Sequence, residues 1–290
     1  MSKSRIAEVA RDADLLWNFC CGVRQPFLSF FKRRVLIDLD PGLLQVCALK
    51  WEMGIQDHEV FLTVGSNLQH EDCTVPTLGV KWQSFIPFVY LPMWEVAPDP
   101  GEQAPFSSVT EWTWHTISLQ EHLLSCSKRD AYLRYIELPK RAGHTFELAA
   151  NLHPEDKTDD RELLRIHGWK LVQPHKVACS PSSYRDYIRR SRAEIACAKP
   201  VYSELKTGWF SDRSSCYLAS GRPVLAEDTG FSAHLPTGLG LLAFRNIEEA
   251  LAGADEIVSN YALHMRAARE LAVETLDSRR QLESMLCACG

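Results

Sequence analysis

The sequence of 290 residues contains no apolar run of the about 20 residues that a membrane-spanning helix needs. Its first residues, Met-Ser-Lys-Ser-Arg-Ile-Ala-Glu, carry no apolar signal core. None of its ten cysteines forms a Cys-x2-Cys pair, which argues against a zinc site. A net charge of −5 argues against a broad nucleic-acid-binding surface. We therefore expect a cytoplasmic protein with mostly buried, reduced thiols, no transmembrane segment, no metal and no nucleic-acid partner.

Instead, the sequence shows strands and helices in alternation, within an ordinary composition of 46% apolar and 24% charged residues. Residues 34–40 and 58–64 are continuous apolar runs without a polar alternation, which predicts parallel strands buried on both faces. Prolines interrupt the pattern from 67 to 120, and it resumes near 131. The second part includes predicted helices over 156–167 and 255–275. The pattern thus predicts an α/β protein with a domain boundary between 120 and 140.

The segment from Gly208 to Gly230 is the most informative part of the chain. Ser211 is placed to cap a helix, which Ser220-Gly221 would end and Pro223 would keep from resuming. The apolar run 224–226 predicts a buried strand, and a polar loop follows at its carboxyl end. In open α/β sheets, ligands bind at the carboxyl ends of the strands, and helix N-termini receive phosphates. The segment therefore has the order of half a nucleotide-sugar site.

This segment resembles the donor-binding segment of glycosyltransferases with the GT-B fold. Residues 219–224, Ala-Ser-Gly-Arg-Pro-Val, match its second half, whereas Gly208 and Cys216 stand where retaining families carry two glutamates. A closer resemblance, to a group of bacterial glycosyltransferases, extends from about Asp14 to Leu286. It implies two Rossmann-like parallel-sheet domains. Residues 1–130 would be the acceptor-side domain, shortened because no strand and Gly-rich turn precede Asp14, and residues 131–290 would bind the nucleotide sugar.

The predicted donor site contains an arginine at a helix N-terminus. Arg213 and the helix amides would bind the diphosphate, because a guanidinium matches phosphate oxygens in bidentate fashion. Alternatively, Ser211 and Asp212 only cap the helix and Arg213 lies at the surface. Lys199, at the end of a predicted strand, could neutralise phosphate charge or simply be exposed. The remaining candidates are Ser214 in this helix, Gly208 and Trp209 in the loop before it, and Glu227, Asp228, Thr229 and Gly230 in the loop that follows the strand.

The loop that ends with Gly230 has its own two interpretations. A carboxylate at a strand end can bind sugar hydroxyls, while Thr229 and the Gly230 backbone can approach phosphate. The alternative is an ordinary turn. The quartet 70–73, His-Glu-Asp-Cys, resembles a metal motif, but adjacent residues rarely present convergent ligands.

On the acceptor side, Asp38 and Asp40 would point to the same side of an extended strand. Asp40 could act as a general base toward an acceptor hydroxyl, or it could cap the helix that follows Pro41-Gly42. Trp112 and Trp114, together with His115, could stack on a sugar or an aromatic acceptor, or they could belong to the core.

These residues predict a glycosyltransferase that moves a sugar from a nucleotide-diphospho-sugar to an unknown acceptor. Arg213, the helix amides and Lys199 would stabilise the leaving diphosphate without a tightly bound cofactor. Two alternatives remain: a nucleotide-sugar 2-epimerase of the same fold, and a non-catalytic subunit that binds the donor or a partner.

Overall fold

A computed structural model describes residues 3–152 and 159–290. The first half contains a sheet of four parallel strands, which lie side by side in chain order. These strands are β1 (Leu16–Phe19), β2 (Arg34–Asp38), β3 (Val60–Thr63) and β4 (Trp82–Ser84). The two central strands, β2 and β3, are buried almost throughout, as their uninterrupted apolar runs predict.

The second sheet has six parallel strands in the order β9-β8-β5-β10-β11-β12, and a separate antiparallel hairpin is formed by β6 and β7. The strands are β5 (Phe106–Glu111), β6 (Thr116–Leu119), β7 (His122–Ser125), β8 (Phe146–Asn151), β9 (Lys170–Val172), β10 (Ala193–Ala196), β11 (Val224–Glu227) and β12 (Leu241–Phe244). From β5 the chain first builds outward to β9 and then returns to continue from β10 on the other side. The crevice beyond the carboxyl ends of β5 and β10 is therefore the topological switch point, where such sheets bind ligands.

Twelve α-helices are found in the described residues, together with short 3-10 turns. They are α1 (Lys3–Asp12), α2 (Leu43–Ala48), α3 (Lys128–Arg134), α4 (Leu138–Ala142), α5 (Asp160–Ile166), α6 (Pro174–Val177), α7 (Pro181–Arg189), α8 (Pro200–Glu204), α9 (Asp212–Ala219), α10 (Ile247–Ser259), α11 (Tyr261–Thr275) and α12 (Ser278–Cys289). Across 3–152 and 159–290, no helix is both long and apolar enough to cross a bilayer.

The two sheets share their packing elements. Ile117 and Leu124 of the β6–β7 hairpin join the core of the first sheet, where β6 contacts α2 and β7 contacts α8. The last helix, α12, returns to the first sheet and buries Met285 and Cys289 against β2 and β3. These returns hold the carboxyl ends of the first sheet opposite α8 and α9.

Three sequence predictions differ in detail from the structure. The prolines in 67–120 predicted loops with short extended pieces, yet one of these pieces, β5, lies at the centre of the second sheet. The helix predicted over 255–275 is two helices, with Asn260 between them. Of the helix predicted over 156–167, residues 156–158 lie outside the described part, Asp159 is the N-cap, and α5 runs from Asp160 to Ile166.

The predicted domain boundary at 130 does not coincide with the change of sheets. Strands of the first sheet end at Ser84, and the second sheet begins at Phe106. Because the hairpin at 116–125 then packs on the first sheet again, the division into 1–130 and 131–290 stays a prediction.

Candidate functional site

A cavity of about 330 Å³ lies between the first sheet and the N-terminus of α9, and we call it the switch-point cavity. Its wall on the first sheet consists of apolar residues at or just beyond the ends of the four strands, namely Phe19, Leu39, Val64 and Phe85, together with Trp17, Pro87, Phe88 and Met285. The opposite wall, on the side of the second sheet, is formed by helix and loop residues, namely Lys128, Lys199, Tyr202, Trp209, Phe210, Asp212 and Arg213. The cavity thus has one apolar side and one cationic side.

Two lysines are held on the cationic side by a pair of stacked rings. The rings of Tyr202 and Trp209 lie 4.5 Å apart between centroids. The Nζ of Lys128 lies 5.1 Å from the Trp209 ring centroid, and the Nζ of Lys199 lies 5.2 Å from the Tyr202 centroid. Both geometries are cation–π contacts, which hold the two ammonium groups beside the switch point.

Lys128 lines the switch-point cavity, although the sequence did not predict it as a site residue. It begins α3, is buried, and donates a hydrogen bond to the carbonyl of Cys197 just beyond β10. Burial, followed by the positive charges of Arg213 and Lys199, lowers its pKa to about 7. A weak signal was present in the sequence, because a lysine in the first turn of a helix opposes the helix dipole.

Arg213 occupies the position predicted for it, in the first turn of α9. The Ser211 side chain accepts a hydrogen bond from the Arg213 backbone N–H at 3.2 Å, which confirms the predicted N-cap. The Arg213 guanidinium lines the cavity, with a 3.6 Å contact to the exposed carboxylate of Asp212. Ser211 and Ser214 are buried and do not line the cavity. The N-cap therefore fixes the first turn of α9, from which the Arg213 side chain reaches the switch-point cavity.

Glu194 lies buried on β10, next to the strand that α9 precedes. Burial raises its pKa to about 7, while the nearby charges of Arg213 and Lys128 lower it. This carboxyl group is thus close enough to Arg213 and Lys128 for their charges to act on its pKa.

Asp40 and Lys199, predicted as separate candidates in separate halves of the chain, form an ion pair. The Nζ of Lys199 lies 2.8 Å from Asp40 Oδ2, and the hydroxyl of Tyr202 donates to Oδ1. Asp40 does not cap α2, where Gly42 is the N-cap and its N–H is bonded by Gln45. The pair joins the carboxyl end of the first sheet to that of the second.

Asp38 does not share this position, contrary to the expectation that both carboxylates face one side. It is fully buried and accepts hydrogen bonds from Gln45, Thr63 and the backbone N–H of Asp40. Burial raises its pKa to about 6. These hydrogen bonds hold the end of β2 in place. The strand ends at Asp38 and the chain bends there, so Asp38 and Asp40 do not face the same side.

The loop 227–230 lines a different cavity of about 510 Å³, which we call the loop cavity. Glu227 accepts hydrogen bonds from Arg134 at 2.9 Å, Tyr135 at 3.2 Å and the backbone N–H of Ala198 at 2.8 Å. Asp228 accepts them from the Gly230 N–H, the Ser232 hydroxyl and Arg245. The structure thus does not bring these carboxylates together with Arg213, and their oxygens already have protein partners.

The backbone at Trp209 is held in place by contacts that involve Thr229, Gly230 and Gly208. The Thr229 hydroxyl donates to the Trp209 carbonyl at 2.6 Å, and the Gly208 N–H donates to the Thr229 carbonyl at 2.8 Å. Gly230 has φ +99°, and a Cβ there would lie 2.3 Å from the Asn67 amide nitrogen. These contacts place the Trp209 ring, which in turn contacts Lys128.

The aromatic candidates separate into core and surface. Trp112 is fully buried and donates to Asp160 at 2.9 Å, whereas Trp114 is 54% exposed.

The quartet 70–73, in the part of the chain that the structure describes, does not form a metal site. His70 and Asp72 are exposed, with 3.8 Å between their nearest atoms. Within 3–152 and 159–290, no group of three or more His, Cys, Asp or Glu side chains is arranged to hold a metal ion.

No protein-family model matches this chain, and no curated protein matches its sequence. Solved structures, however, share its fold. Anabaena HepE in complex with UDP and glucose matches with a TM-score of 0.61 and 13% identity, over 98% of this chain and 80% of that chain. An α-glucosyltransferase (AGT) in complex with UDP matches at 0.59 and 12%, over 99% and 83%. Sucrose-phosphate synthase from Thermosynechococcus elongatus matches at 0.57 and 11%, over 100% and 81%.

This likeness confirms the predicted fold class. The chain has the GT-B fold of these glycosyltransferases, with parallel-strand sheets in both halves.

Proposed function

We propose that this protein is a glycosyltransferase that takes a sugar from a nucleotide-diphospho-sugar. The observation that carries the proposal is the set of three cations, Lys128, Lys199 and Arg213, in one cavity at the switch point of the second sheet. Preorganised cations at this position would stabilise the charge that develops on a departing diphosphate. The GT-B fold supports the proposal, since the structures that share it include complexes with UDP and with UDP-glucose.

The reaction would be displacement at the anomeric carbon. The bond from this carbon to the diphosphate oxygen breaks, its electron pair leaves with the nucleoside diphosphate, and an acceptor oxygen bonds to the carbon. Asp40 is the candidate to receive the acceptor proton, because a carboxylate has about four lone-pair sites and only two are used by Lys199 and Tyr202. A bound diphosphate would compete with Asp40 for Lys199.

A binding experiment tests the donor site. We expect UDP to bind the purified protein in isothermal titration calorimetry, and Arg213→Ala to weaken the affinity by about 1.5–3 kcal/mol, the value of a charge-assisted hydrogen bond. The control is Arg279→Ala, because Arg279 is an exposed arginine of α12 outside the cavity. The site assignment is wrong if Arg213→Ala and Arg279→Ala bind UDP equally well.

A product analysis tests the reaction. We expect incubation with UDP-sugars to release UDP, with slow hydrolysis in the absence of an acceptor. A 2-epimerase would instead yield an epimerised sugar and would need carboxylates around the sugar, but Glu227 and Asp228 line the loop cavity and are hydrogen-bonded to the protein. Conversion of the sugar without UDP release would support the epimerase, and UDP binding without any turnover would support a non-catalytic subunit.

A further inference from the structure

A third cavity, of about 560 Å³, lies on the other side of the Asp40–Lys199 ion pair. We call it the Asp40 cavity; its lining residues come from the turn after β1, from α2 and the segment that follows it, and from the chain entering β6. Leu39 lines the switch-point cavity and its neighbour Asp40 lines this one. The two cavities thus meet at the carboxyl end of β2, with the ion pair between them.

Two tryptophans make this cavity unusual. Trp51 is 59% exposed and Trp114 is 54% exposed, and both line it. A tryptophan buries a large area when it is covered, so two exposed indoles on one cavity leave an apolar surface open to a ligand. Trp112, two residues from Trp114, shows the contrast, because it is fully buried in the core.

The other lining residues indicate which ligand fits. Leu43, Leu44, Met53 and Ile117 are apolar, and the ionisable or hydroxyl groups are confined to Asp40, His115, Thr116 and two cysteines. A sugar carries several hydroxyls, and each one that is desolvated without a partner is costly. An apolar body with a single hydroxyl can bury its carbon surface here and place the hydroxyl at Asp40.

We propose that the Asp40 cavity binds the acceptor, and that this acceptor is an apolar or aromatic alcohol whose reactive hydroxyl contacts Asp40. The inference rests on the proposed glycosyltransferase function. In the reaction, the hydroxyl oxygen forms the bond to the anomeric carbon, the hydroxyl proton passes to Asp40, and the nucleoside diphosphate leaves the same carbon. Lys199 links the two events, since it contacts Asp40 and lines the switch-point cavity.

Binding of 2-naphthol without any donor is the first test. We expect saturation-transfer NMR and a titration to show binding of 2-naphthol, much weaker binding of glucose, and a loss of at least about tenfold in affinity in Trp51→Ala and in Trp114→Ala. Leu123→Ala is the matched control, because Leu123 is 75% exposed on the neighbouring strand β7 and does not line the cavity. Unchanged affinity in both tryptophan variants, or glucose binding as tightly as 2-naphthol, would overturn the inference.

The second test concerns the proposed contact between Asp40 and the hydroxyl of the ligand. We expect 2-naphthol to bind more tightly than naphthalene in the wild type, and Asp40→Asn to reduce that difference. Thermal melting of the variant separates a lost contact from a lost fold. Equal binding of both compounds by the wild type would contradict the contact between the hydroxyl and Asp40.

Separate readouts keep this inference apart from the proposed function. UDP affinity should remain unchanged in Trp51→Ala and Trp114→Ala, while transfer of glucose from UDP-glucose to 2-naphthol should fall with 2-naphthol affinity. If UDP does not bind to the wild type, the proposed function fails and this inference fails with it. If UDP binds and is released from UDP-glucose but 2-naphthol neither binds nor is glucosylated, only the acceptor inference fails.

Discussion

The switch-point cavity and the loop cavity both lie beyond the carboxyl ends of strands in the second sheet, and each contains three cations. The loop cavity pairs Arg134, Lys206 and Arg245 with four carboxylates, which are Asp72, Glu204, Glu227 and Asp228. The switch-point cavity sets Lys128, Lys199 and Arg213 against the single lining carboxylate of Asp212. In the switch-point cavity Lys199 is paired with Asp40, which leaves Lys128 and Arg213 to contribute positive charge toward a ligand.

Hydrogen bonding separates the two cavities further. Arg134 and Arg245 donate to buried carboxylates at 2.9 and 2.6 Å, so their charges are neutralised within the protein. Lys128 instead donates to a neutral carbonyl, and Arg213 has a 3.6 Å contact to an exposed aspartate. The number of cations in a cavity therefore does not identify an anion site. An anion site is identified by the hydrogen-bond donors and the positive charge that remain unpaired after folding.

The largest expected difference between the cavities is in donor binding. Lys128→Met removes an ammonium that lines the switch-point cavity and keeps an apolar side chain of similar length, so UDP affinity should fall by about 1.5–3 kcal/mol if the cavity binds the donor. Arg245→Met, the matched change in the loop cavity, should leave UDP affinity unchanged. Calorimetric titration of both variants with UDP tests this prediction. The contrast between the two cavities is wrong if Arg245→Met lowers UDP affinity more than Lys128→Met does.

The next effect is on stability, and it should appear in the loop cavity. Glu227→Gln replaces a buried carboxylate that accepts from Arg134, Tyr135 and a backbone N–H, and should cost about 1–3 kcal/mol in the free energy of unfolding. Denaturant unfolding measures it, with Glu248→Gln, in an exposed ion pair, as a control expected to change nothing measurable. UDP affinity should be retained, and its loss would place Glu227 in the donor site.

The smallest expected effect is on pH dependence. Because burial lowers the pKa of Lys128 to about 7, the lysine loses its proton as the pH rises from about 7 to 9, and UDP affinity should fall several-fold. In the absence of ligand, the free energy of unfolding should follow the opposite trend with pH. The contribution of neutral Lys128 is fully present above the unfolded pKa of 10.5 and is lost as the pH falls toward about 7. Calorimetry and unfolding across this range test both trends, and Lys128→Met should flatten them.

The sequence determined the local elements of this protein. The Ser211 cap, the end of α9 at Ser220-Gly221 and the strand β11 follow from signals within a few residues of each other. The buried apolar runs gave β2 and β3, and with the strand–helix alternation they define the α/β class. Arg213 was predictable because its position depends on the helix that contains it.

Only the tertiary structure decided which of these pieces meet. The strand β5 contains Ser107, Ser108 and Thr110, and it can be buried because Ser107 hydrogen-bonds to Ser191 and Tyr217, far along the chain. The same holds for the site: Lys128 depends on the carbonyl of Cys197 and the ring of Trp209, and Asp40 on Lys199. The hydrogen-bond partner of a buried polar group is set by packing between distant elements, whereas caps and periodicity are set by neighbouring residues.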